Sequence, residues 1–131
     1  MMHKIFTRNR GFYNASLSLQ ALGDDLQVVI WGGERPHVGA VAVAEPRVSR
    51  SDPTRTSASS SVICLSGHKE DELARDAALR LAIVSRGAVA VTAGLHWDQL
   101  DADDIKDILQ LCDELIRDAE AWLEEQAEIE T

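Results

Sequence analysis

The chain lacks most of the features that announce a chemistry. It has two cysteines, and Cys64 and Cys112 follow neither a disulfide framework nor a C-x-x-C spacing, so both are read as buried free thiols. No segment approaches the roughly 18 uninterrupted apolar residues of a membrane helix. Met1-Met2-His3-Lys4 runs into a strand-like segment with no signal-peptide core, so no membrane partner and a cytoplasmic location are expected. Aromatic residues make up only 5% of the chain, too few for the repeated stacking platforms usual in nucleic-acid binding, and no nucleic-acid partner is expected. There is no Walker-type glycine loop, no dinucleotide glycine spacing and no H-E-x-x-H pair. Neither Ser66 nor Ser85 sits in a nucleophile elbow. No catalytic residue and no resident metal are assigned.

Positive charge is also scarce where it would matter. The net charge of −9 is unevenly spread: from Asp98 onward thirteen acids face only Lys106 and Arg117, a local charge of −11. Such a block on a helix is read as a solvated face, and it disfavours phosphates, which need cationic neutralisation.

What is present describes one α+β domain over residues 1–131. Five strand-like segments, Lys4–Arg8, Phe12–Leu22, Leu26–Trp31, His37–Ala44 and Ser60–Leu65, are short and bounded by Gly, Pro, Asn or Asp. Gly32-Gly33-Glu34-Arg35-Pro36 reads as a loop able to close a hairpin, and Val48–Ser59 as a connection or the end of a long hairpin. The period then turns helical over Lys69–Arg86, where Leu73, Ala77, Leu81 and Val84 recur three or four apart. Ala88–Thr92 reads as a buried strand. A second helix over Asp101–Gln126 carries Ile105, Ile108, Leu109, Cys112, Leu115, Ile116, Ala119, Trp122 and Leu123 as one apolar stripe, with Asp101 as its cap. The order βββββαβα predicts about six strands, mainly antiparallel, with two helices on one face, and Ala40, Ala42 and Ala44 let a helix approach closely. A sheet this small, with an open edge and Trp31 near its loop, is expected to pair as a homodimer.

Three glycine-marked segments hold His37, His68 and His96, each where a strand-like run meets a turn or a helix start. Together they could form one polar site. Three imidazoles with Asp98 or Glu70 would suit an open zinc site of a small metal- or His-dependent enzyme, although no local ligand pair supports it. Ser66-Gly67-His68-Lys69 opens a helix and could receive an anion, against which Glu70, Asp71 and Glu72 argue. Trp97 could stack on a flat ligand or pack under the sheet. A pure protein-interaction module is the third possibility.

The combination GGERPHVGAVAVA (Gly32–Ala44), GHKEDELAR (Gly67–Arg75) and VTAGLHWDQL (Val91–Leu100) resembles the LpdD-like family, small D-type accessory subunits of UbiD-type gallate decarboxylases. The resemblance covers about residues 25–100. It implies a fold similar to the small proteasome assembly chaperones, and a non-catalytic accessory protein or chaperone. Such a protein would assist loading of prenylated FMN, held transiently, or assembly of a UbiD-type decarboxylase subunit, its expected partner. The matching positions Glu34, Pro36, His37, Gly39, His68, Lys69, Glu70, Asp71, His96 and Asp98 form the candidate cofactor-binding set.

Overall fold

A computed structural model describes residues 2–65 and 70–130. The elements are β1 (His3–Arg10), β2 (Tyr13–Leu22), β3 (Asp25–Gly33), β4 (Ala40–Val48), β5 (Thr56–Cys64), α1 (Asp71–Ser85), β6 (Val89–His96) and α2 (Ala102–Glu130). This is the α+β order that the periodicities predict.

The six strands form one sheet in the order β1-β2-β3-β6-β4-β5. β6 pairs parallel with β3, while every other pairing is antiparallel. The loop after β3 therefore closes no hairpin: β6 stands between β3 and β4. The physical reason lies in its residues, because Val89, Val91 and Ala93 are small, apolar and buried, and a central strand has neighbours on both edges. β6 also runs four residues beyond the expected Thr92, since Gly94, Leu95 and His96 pair with Trp31, Gly32 and Gly33. β4 starts later than expected, at Ala40, because His37–Gly39 cross the end of β6; Gly39 N–H donates to Ala93 O at 2.9 Å. Residues 56–59 belong to β5, leaving a turn at 49–55 in a long β4–β5 hairpin.

Both helices cover one face. α1 packs over β4, β5 and β6, and α2 lies against β1, β2 and α1. The close approach of α1 comes from small residues meeting small residues: Ala74, Ala77, Ala78 and Ala82 face Ala40, Ala42 and Ala44, all fully or almost fully buried. Arg86, not Gly87, takes the left-handed cap of α1, with φ 59° and its N–H on Ala82 O. Gly87 is needed beside it because any Cβ there would collide with the carbonyl of Asp24. At the other helix, Asp101 caps α2 reciprocally: Asp104 N–H donates to Asp101 Oδ1 at 2.8 Å, and Asp101 N–H to Asp104 Oδ2 at 3.0 Å.

The acidic stripe of α2 is less solvated than its composition implies. Arg8 on β1 bonds Asp118 in a fork at 2.6 and 2.8 Å, and Arg10 reaches Asp107 at 3.2 Å. Arg80 on α1 bonds Asp113 at 2.7 Å and Glu120 at 2.6 Å. Burial opposes the charge on Arg80, but Glu120, Asp113 and Asp76 outweigh it and hold its pKa above the ordinary value. Much of the acidity thus ties α2 to β1 and α1. Cys64 also departs from expectation: it is exposed, because it ends the edge strand β5, while Cys112 is buried as expected.

Candidate functional site

The site forms where loop 34–39, the end of β6 and the first turns of α1 and α2 meet. His37 is held by its own loop, since Nδ1–H donates to Arg35 O at 3.0 Å. Its Nε2 lies 2.9 Å from Glu70 Oε1. Glu70 precedes α1 at its N-cap position and also accepts Leu95 N–H at 3.4 Å. The glycines permit this convergence. A Cβ on Gly39 would strike the Glu70 carboxylate, and one on Gly94 would strike the backbone of His37.

His96 ends β6, with its ring 6.4 Å from that of His37 between centroids. Its Nε2 lies 2.9 Å from Asp98 Oδ1 and 3.0 Å from Arg35 Nη2, and Arg35 Nη2 donates to the same Asp98 oxygen at 2.9 Å. Asp98 titrates below the usual carboxylate range, first because of the hydrogen bond with His96, then through Glu34 and Arg35. The triangle is solvent-facing.

Beneath these polar groups lies a cleft of about 300 Å³, lined by His37, Glu70, Leu73, Leu95, His96, Trp97, Leu100, Ile105, Ile108, Leu109 and Cys112. Ile105 and Leu109 belong to the stripe expected to pack α2, yet they are 48% and 56% exposed. The first turns of α2 form the wall of the cleft. A neighbouring cleft of about 340 Å³ holds Phe12, Tyr13, Asn14, Gly33, Glu34 and Asp98. Trp97 borders both, with its ring edge-on to Tyr13 at 5.6 Å. Tyr13 Oη donates to Asp104 Oδ1 at 2.5 Å, and that bond pushes its pKa up to about 12. Burial pushes the Cys112 thiol up to about 12 as well.

Of the residues singled out in the sequence, His37, Glu70 and His96 line the cleft, Gly39 packs against the Glu70 carboxylate, and Asp98 joins through His96 and Arg35. Glu34 lies at the neighbouring cleft, Pro36 is an exposed loop residue, and Asp71 begins α1. His68 and Lys69 lie outside the described residues, as does the whole segment 66–69 read in the sequence as able to receive an anion. Among the described residues, no group of three or more His, Cys, Asp or Glu side chains is placed to hold a metal ion. The apolar wall was not singled out, because its side chains carry the same helical period as a core stripe.

The chain matches over residues 9–124 the family model described as prenylated flavin chaperone LpdD-like domain. It is 27% identical over 119 residues to Protein LpdD of Lactiplantibacillus plantarum, covering 91% of this chain and 84% of that protein. Its fold is similar to that of a chain in the crystal structure of a chaperone complex for yeast 20S proteasome assembly, with a TM-score of 0.56 and 15% identity. That superposition covers 94% of this chain and 99% of the other.

Proposed function

Because the chain belongs to the prenylated-flavin chaperone LpdD-like domain family, we propose that it is a non-catalytic accessory protein for a UbiD-type decarboxylase. It assists loading or retention of prenylated FMN, or assembly of the decarboxylase. The observation that carries this reading is that the family match spans every residue of the apolar cleft and its polar corner.

The residues fit such a role. Leucine and isoleucine side chains can cover an apolar ring while His37, Glu70 and His96 offer hydrogen bonds to ring heteroatoms. The exposure of Ile105 and Leu109 leaves the cleft open on one side, which suits a ligand that must be handed on. A nucleophilic role for Cys112 is disfavoured, since a thiol whose pKa is raised to about 12 stays protonated at neutral pH.

The test is co-production of the decarboxylase with wild-type protein, with His96→Ala, or alone, reading activity together with bound-flavin absorbance. Loading should fall without the protein and fall in part with His96→Ala. Equal loading and activity in all three overturns the accessory role, and turnover by the isolated protein overturns its non-catalytic character.

A further inference from the structure

The cleft has a chemistry more selective than affinity for a flavin in general. Six aliphatic side chains, Leu73, Leu95, Leu100, Ile105, Ile108 and Leu109, make most of its wall, and none of the described lining residues is Lys or Arg. Among the described lining residues the one carboxylate is Glu70, whose side chain is only 13% exposed. A phosphate placed against this wall would lose its hydration and meet the Glu70 carboxylate, while the nearest described cation, Arg35, is held by Asp98 at the solvent-facing rim. A branched hydrocarbon unit would gain from the same surroundings, in proportion to the area removed from water. At about 300 Å³ the space lies at the lower end of small-molecule pockets, so it suits part of a large cofactor. Trp97 supplies one aromatic wall, able to lie against a ring system that enters from the open side.

Resting on the flavin reading above, we infer that this cleft takes the isoprenoid-bearing, apolar part of the prenylated flavin and leaves the ribityl phosphate in solvent. The added hydrocarbon is then what distinguishes the modified cofactor from ordinary FMN. Ile105 and Leu109 act as selective contacts, and the His37–Glu70 corner as a polar stop.

Calorimetric titration of the isolated protein tests this with three probes: FMN, prenylated FMN kept free of oxygen, and prenylated FMN dephosphorylated by a phosphatase. Prenylated FMN should bind at least about tenfold more tightly than FMN, and removing its phosphate should change affinity by less than about threefold. Leu109→Glu, at a position exposed enough to tolerate charge, should weaken binding about tenfold or more without moving the denaturant midpoint. Equal affinity for FMN and prenylated FMN, or loss of binding when the phosphate is removed, overturns the inference. If neither flavin binds while decarboxylase loading still depends on the protein, the cleft assignment fails and the accessory role stands. Selective binding in the cleft with no effect on loading supports the cleft assignment and overturns the accessory role.

Discussion

Tyr13 and Asp104 show how one hydrogen bond ties a strand to the helix that borders the site. The bond from the phenol to the carboxylate raises the Tyr13 pKa from 10.0 to about 12 and lowers that of Asp104. The sign follows by linkage. Tyr13 binds its proton more tightly when folded, so its contribution is complete below pH 10 and is lost as pH rises toward about 12. Asp104 binds its proton less tightly when folded, so its contribution is present above its ordinary value of 3.8 and is lost as pH falls through the lowered one. Tyr13 is the only tyrosine in the chain, so an ultraviolet titration reads it directly. The midpoint should lie near 12 in the native protein and move back toward the ordinary value in Asp104→Asn. A native midpoint at the ordinary value would show that the bond does not form in solution. The glycines act at the same scale: Gly39 and Gly94 are legible as turn punctuation, but what each makes room for, the Glu70 carboxylate and the His37 backbone, is not.

At the scale of elements, α2 does two jobs along one stripe. Its middle, with Leu111, Leu115, Ile116 and Ala119 fully buried, belongs to the core. Its first turns wall the cleft. Leu115→Ala should therefore cost about 2–5 kcal/mol in denaturant unfolding, as the cavity left in a packed core cannot collapse fully. Leu109→Ala should cost under about 1 kcal/mol. Equal costs would mean that the stripe is uniformly packed and the cleft closed. The sequence displays the stripe as a whole because burial against α1 and burial against a ligand ask for the same residue types at the same spacing. Only the positions of α1, β1 and β2 around α2 separate the two halves. The acidic residues behave similarly: a carboxylate destined for Arg8 or Arg80 is indistinguishable in sequence from one facing water.

In the whole molecule, helices cover one face of the sheet and leave the other open. Among its residues Ile5, Val43 and Ile63 are 53%, 47% and 72% exposed, with Val29 and Trp31 half-buried between them. A second copy laid on this face would cover them, which extends the expectation of a homodimer from the sheet edge to the sheet surface. Light scattering at tens of micromolar should give the dimer mass, and Val43→Asp should give the monomer with unchanged circular dichroism. A monomer mass for the wild-type protein would remove this expectation.

The α+β class, the element order, both helices, the cap of α2 and the meeting of His37 with His96 were legible in the amino-acid sequence. Each of these rests on local period, local turn chemistry or a short motif. The tertiary structure alone decided that β6 separates β3 from β4, that Cys64 is exposed at an edge, that Arg8, Arg10 and Arg80 draw the acidic helix inward, and that half an apolar stripe forms a cleft. These are consequences of which elements become neighbours. Neighbour choice depends on contacts between residues far apart in the chain, whereas periodicity records only that a face is apolar, not what will cover it.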